Sequence, residues 1–382
     1  MGIRHPRFLV CLPRSDRPYP HGVASTRAAV ERIERICARD TDPTTLRVTI
    51  LDEVRQQVGF DAYAWLLTDP DSWVGAAPLA EIPRLGDLPR LIRLKYLTPV
   101  NRWTALPAGA TSLLAVTGGD PSRSLVWREL LQGYGLVDVA SMVFRDPYGC
   151  WGFLDLWRIG ALRSAFTPEE LDWLGDRGPT ITAALRRSQA ATFHPVAGHG
   201  NSPATLASDT AGRQGPVVLL LSPDLEVLTQ TAETDAYLRT LLPPDAGAPP
   251  VPAAAYNVAA QLLAVEEGVD NHPAAARVHL SGGHWMTLRA GRLPGAPYAR
   301  SPIAVSIEPT PPEDRAVLFA RCAGLSARET EILRQLAAGA DTRALAARLF
   351  LSEYTVQDHL KSIFVKTGCR TRLELIALAT GG

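Results

Sequence analysis

Apolar residues recur along this chain with two periods. Val30, Ile33 and Cys37 are three and four residues apart, and after Asp42-Pro43, a helix-start signal, Leu46, Ile50, Val54 and Val58 return every four. These spacings predict two amphipathic helices. Phe60 to Leu67 is dense in apolar and aromatic side chains and predicts a buried strand, with Thr111 to Val116 as a second and a short helix between them over Leu88 to Leu97. Asp120-Pro121 predicts the start of a further helix through Leu131. Val137 to Phe144, an Asp-Pro-Tyr-Gly turn at 146–149, and Trp151 to Trp157 predict a hairpin. Thr167-Pro-Glu-Glu170 is a capping box with Pro at the first helical position, and it predicts a helix to about Gln189 with a break near Gly178-Pro179.

After residue 192 the pattern stops. Gly, Ser, Pro and Ala fill 193–215 without periodicity, as in a linker. The period then resumes. Val217 to Leu221 and Glu226 to Thr229 predict a hairpin, Thr234 to Leu242 and Ala253 to Glu267 two helices, and Ala276 to Leu280, His284 to Leu293 and Pro302 to Glu308 three strands. Thr310-Pro-Pro-Glu-Asp314 begins a connecting helix with Val317, Leu318 and Ala320 inward. In the first stretch, VGFDAYAW (58–65) and GCWGFLDLWR (149–158) followed by FTPEEL (166–171) resemble a GAF domain, which implies a small-molecule sensor module. The second stretch resembles a PAS-like domain through its element order.

The last stretch carries the most specific pattern. Ser326 is placed to cap a helix that buries Ile332, Leu333 and Leu336 and ends at Gly339; Asp341 or Thr342 begins a second with Leu345, Ala346 and Leu349 inward, and Ser352 caps a third. Two short helices joined by a tight turn predict a helix-turn-helix. On the third helix, Leu360, Ile363 and Phe364 fall within about 80° of Val356, whereas Gln357, Lys361, Tyr354, Val365 and Asp358 lie between about 100° and 200° from it. One face packs and the other is polar. Gln pairs bidentately with adenine, Lys donates to guanine and Asp accepts from cytosine, so this face holds the chemistry for reading a major groove. Ser352, Thr355 and the helix N-terminus suit phosphate contacts.

The motifs L-S-x-R-E-x-E-I-L (325–333), A-x-G (337–339), A-x-x-L-x-x-S-x-x-T-V-x-x-H-L (346–360) and K-x-G-x-x-x-R-x-E-L (366–375) resemble the DNA-binding domain of LuxR-type transcriptional regulators. The resemblance implies that Gln357, Asp358 and Lys361 face the bases and that the fourth helix, around Leu373 and Ile376, dimerises. Gln357 stands where relatives often have Lys, and Tyr354 replaces a common Gly. The expected fold class is multidomain α+β: a disordered tail at 1–24, a GAF-like domain at 25–190, a linker at 191–215, a PAS-like domain at 216–309, a connecting helix at 310–324 and an all-α four-helix domain at 325–382.

Composition adjusts this picture. Lys plus Arg and Asp plus Glu are 39 each in 382 residues, but residues 325–382 hold 8 basic and 6 acidic residues, net +2; residues 1–24 are net +3, and the 300 between them are net −5. Neutrality overall conceals a mildly basic C-terminus on an acidic body. Five cysteines, none in a C-x-x-C pair, suggest neither disulfides nor zinc, and no metal or other cofactor is expected. No membrane-length apolar run or export signal is evident, which points to the cytoplasm. No P-loop, G-x-S-x-G, H-E-x-x-H or S-x-x-K pattern sits in a fitting context, so no catalytic residues are expected. Seven of eight tryptophans precede residue 174, and Trp65, Trp103, Trp151 and Trp157 are candidates for a ligand pocket, with core packing as the commoner explanation. The expected partners are double-stranded DNA, a small molecule in the GAF-like domain, a second copy of the chain and RNA polymerase, with no membrane. The rival reading is a sensor whose C-terminal helices bind a protein and not DNA.

Overall fold

The computed structural model describes residues 23–194, 217–241, 252–280, 284–294 and 301–381. The expected tail at 1–24 and linker at 191–215 lie almost wholly outside the described residues. Where they overlap, Val23 already belongs to a helix and Ala191 still does.

The first unit begins with α1 (Val23–Cys37) and α2 (Pro43–Val58), the latter capped by the Asp42 carboxylate, which accepts from the Thr44 and Thr45 amides. A sheet follows: β1 (Ala62–Thr68), β2 (Gly75–Glu81), β3 (Ala110–Ser112), β4 (Leu136–Asp146) and β5 (Gly149–Ile159), in the order β2-β1-β5-β4-β3. Every pair in it is antiparallel. Helix α3 (Leu88–Leu97) and the short α4 (Leu113–Thr117) and α5 (Leu125–Glu129) lie between β2 and β4, and α6 (Pro168–Ala191) closes the unit. One face of the sheet packs on α1, α2 and α6 through Trp65, Phe144, Trp151 and Leu154; the other packs on α3 through Ala64, Val143, Phe153 and Trp157.

Four details depart from the sequence expectation. The predicted strand at 111–116 ends at Ser112, whose hydroxyl accepts from the Ala115 amide and caps α4. The predicted helix over 120–131 is split into a 3-10 turn at Pro121–Arg123, α5, and a second 3-10 turn at Leu131–Tyr134, because Ser124 caps a new start and Gly135 takes a left-handed stop. The expected break at Gly178-Pro179 does not occur. Pro179 sits inside α6, where burial of Leu174, Ile181, Ala184 and Leu185 outweighs one lost backbone bond. Strand β2 has no counterpart in the reading above; its small side chains and Pro78 hide it, and Pro is tolerated because β2 is an edge strand.

The second unit repeats the topology. Its elements are β6 (Val217–Leu221), β7 (Val227–Gln230), α7 (Ala232–Leu241), α8 (Ala253–Glu266), β8 (Ala275–His279), β9 (Trp285–Arg292) and β10 (Ile303–Pro309). The order β7-β6-β10-β9-β8 again places the last strand at the centre, beside the first. Helix α8 is apolar on nearly every side and is buried between this sheet and the α3 face of the first unit. A buried ion pair ties the two sheets: Arg277 donates through Nε to Asp69 at 2.6 Å and through Nη2 at 2.9 Å. Its other nitrogen donates to the Asp314 carbonyl in α9 (Pro312–Cys322), whose N-cap is Pro311.

Four helices end the chain: α10 (Ala327–Ala337), α11 (Thr342–Leu349), α12 (Glu353–Thr367) and α13 (Arg372–Thr380). The molecule is thus α+β, two antiparallel five-stranded sheets with helices followed by an all-helical unit. Among the described residues no helix is long and apolar enough to cross a membrane.

Candidate nucleic-acid interface

The C-terminal helices are set by caps and a small core. Ser326 caps α10 with a reciprocal box to Glu329, Asp341 caps α11 by accepting from the Ala344 amide, and Ser352 caps α12 by accepting from the Thr355 amide at 3.0 Å. Ile332, Leu333, Leu345, Val356, Leu360 and Ile363 are all buried in the common core. Between α11 and α12 the chain turns at Phe350, which takes a left-handed conformation with φ 54° and leaves its ring 95% exposed.

Glu329 locks α10 to α12. Its carboxylate accepts from Ser362 Oγ at 2.6 Å and from Lys366 Nζ at 2.6 Å, both on α12, and from the Ser326 amide at 2.6 Å. Burial alone would raise its pKa, but the Lys366 and serine bonds more than offset that and carry it down to about 2. Arg372 of α13 donates to Thr342 Oγ1 at 2.6 Å, fixing α13 against α11. The whole unit is anchored to α9 by buried Arg315, which donates to the Leu378 carbonyl and lies 4.9 Å over the Phe193 ring at the end of α6.

With α12 held this way, its second face is left to solvent. Tyr354 is 74% exposed, and Gln357, Asp358 and Lys361 are exposed beside it. Lys361 Nζ donates to Asp358 Oδ1 at 3.0 Å, so the two opposite charges in the middle of this face are already paired. Ser352 is exposed and Thr355 half-buried, their hydroxyls 2.9 Å apart at the N-terminus of α12. The structure therefore gathers the six predicted contact residues on one end and one face of one helix. Leu373 on α13 is 79% exposed, whereas Ile376 packs partly against the helical core, so of the two residues expected at a dimer contact only the first is fully presented.

The four tryptophans do not come together. Trp103 and Trp157 lie on the α3 face of the first sheet, Trp65 and Trp151 on the opposite face, because residues of odd and even register point to opposite sides and a bulge near Cys150 turns Trp151. On the α3 face a small cavity of about 10 Å³ is bounded by Trp157, Leu91, Lys95, Asn101 and Asp155. Asp155 pairs with Lys95 at 3.0 Å and accepts from Ser141 Oγ at 2.6 Å and from Trp103 Nε1 at 3.1 Å, all of it buried. Lys95 and Asp155 escape a search for motifs. Their signal is a charge set among apolar neighbours, in LKYL and in GFLDLW.

Comparison with known proteins bears on the helical end. The family described as bacterial regulatory proteins, luxR family, matches residues 323–379. No curated protein matches the sequence. Among solved structures, Escherichia coli SdiA is 14% identical with a TM-score of 0.34, covering 94% of this chain and 97% of that one. SdiA in complex with octanoyl-rac-glycerol is 13% identical with a TM-score of 0.31, over 94% and 97% of the two chains. The bacteriophytochrome RpBphP3 from the photosynthetic bacterium R. palustris is 14% identical with a TM-score of 0.30, over 78% of this chain and 64% of that one. These superpositions are too loose to bear on the fold, so the family match stands on its own with the caps, core and exposed face of α10–α13. The C-terminal unit of this chain is a domain of the luxR family of bacterial regulatory proteins.

Proposed function

We propose that this chain regulates transcription by binding double-stranded DNA as a homodimer, with α12 in the major groove. One observation carries the reading: α12 buries Val356, Leu360 and Ile363 and leaves Tyr354, Gln357, Asp358 and Lys361 in solvent just past the turn of a luxR-family domain. Ser352 and Thr355 take phosphates and the exposed four face the bases. Leu373 and its neighbours on α13 supply the dimer contact, and RNA polymerase is the further partner of a bound dimer in the cytoplasm.

In this reading residues 25–190 form a GAF-like sensor and 216–309 a PAS-like one, joined through 310–324 to the DNA-binding domain. A small molecule entering beneath α3, beside Trp157, shifts the population of α3 and of α8 packed on it, and α9 passes that shift on. The shared strand order of the two sheets and the burial of α8 between them support this layout. The test is selection of duplexes from a randomised pool by the full chain, followed by footprinting. Two protected half-sites roughly 34 Å apart are expected. A single unpaired half-site contradicts the dimer, and failure to enrich any duplex favours a protein-binding role for the C-terminal helices.

A further inference from the structure

The Asp358–Lys361 pair supports one more step, which rests on α12 entering a major groove. The two residues are three apart on α12, 3.0 Å between Nζ and Oδ1, with side chains 47% and 72% exposed. An exposed pair of this kind adds little to folding, so stability does not account for it. Its shape has a counterpart on DNA. On the major-groove edge of a G·C pair, the guanine O6 acceptor sits beside the cytosine N4 donor, and those two atoms are hydrogen-bonded to each other at about 2.9 Å.

We propose that Asp358 and Lys361 act as a unit that reads one G·C base pair in one orientation. The ammonium has three protons and can hold Asp358 while donating to O6 and N7; the carboxylate has lone pairs to spare and accepts from N4. The unit enters the groove neutral, so Asp358 is not carried alone toward the phosphates. Turning the pair to C·G, or offering A·T, sets donor against ammonium and acceptor against carboxylate. T·A keeps the inner acceptor and donor, but it replaces guanine N7 by a methyl group and brings adenine N7 toward the carboxylate. The expected order of preference is therefore G·C first, T·A second, and C·G and A·T last.

Binding-site selection with the full chain and with Asp358→Ala, Lys361→Ala and the double variant tests this. Wild type is expected to prefer G·C over C·G at one position by roughly 5- to 150-fold. Both single variants lose that preference at the same position and keep the others, and the double variant loses no more than either alone. Relaxation at two different positions, or retention of the preference in either variant, overturns the proposal while DNA reading by α12 stands. If wild type shows no sequence preference at any position, the DNA-reading assignment itself fails and this inference with it.

Discussion

At the scale of single residues, the telling ones are charges buried with partners. Glu329 is buried between α10 and α12 and answered by Lys366, Ser362 and Ser326. Its folded-state pKa is about 2 against an ordinary 4.5, so its stabilising contribution is fully present above about pH 4.5 and is lost as pH falls toward 2. Glu329→Gln should cost about 2 kcal/mol in urea unfolding at neutral pH, as expected for hydrogen bonds to a charged group, and the gap to wild type should close between pH 4.5 and 2. A gap that stays constant with pH would mean the charge is not responsible. Asp155 and Lys95 are a comparable pair in the first unit. Local rules are weakest there: aromaticity named four tryptophans alike, and nothing in their spacing says which of them share a sheet face.

At the scale of elements, legibility followed periodicity. Helix α12 could be read almost completely, since Val356, Leu360 and Ile363 at helical spacing had to face inward and so placed Tyr354, Gln357, Asp358 and Lys361 outward. Helix α3 was legible to the residue. Strand β2 was not, because Gly-Ala-Ala-Pro lacks the bulky alternation that marks a strand, and its place is decided by pairing with β1. Local rules also misjudged α6, where tertiary burial overrode a proline. The turn before α12 makes a prediction at this scale. Phe350 holds a left-handed conformation that costs a non-glycine residue roughly 1–2 kcal/mol, and its ring packs on little. Phe350→Gly should therefore raise the unfolding free energy of the C-terminal unit by about 1 kcal/mol, read as a higher denaturation midpoint at unchanged slope; a lower midpoint would show that the ring is held by contacts that outweigh the backbone strain.

At the scale of the whole molecule, the C-terminal helical unit is joined to the body through α9 and an aromatic cluster beside it. Phe193, just past the end of α6, stacks on Trp285 of β9 and meets Phe319 of α9 edge-on, Arg315 bridges to α13, and the His279 ring of β8 lies 5.3 Å from that of Trp285. Burial, then the nearby Arg315 and His284, hold His279 down to about 4. A base with a lowered folded-state pKa imposes no penalty above about pH 6.5 and an increasing one as pH falls toward 4, so this junction should weaken over that window. His279→Gln should flatten the dependence of the melting temperature on pH between 6.5 and 4; an unchanged slope would assign the acid sensitivity elsewhere. The charge distribution also operates at this scale. A unit of net +2 on a body of net −5 offers a polyanion little nonspecific attraction, so under the proposed reading base contacts must supply much of the binding. The central claim, that α12 reads DNA, is tested most directly by anisotropy titration of a selected duplex and a scrambled one with the full chain and with Gln357→Ala/Lys361→Ala. Wild type should prefer the selected duplex and the variant should bind both nearly alike with its fold intact; equal binding of the two duplexes by wild type, or undiminished preference in the variant, would contradict it.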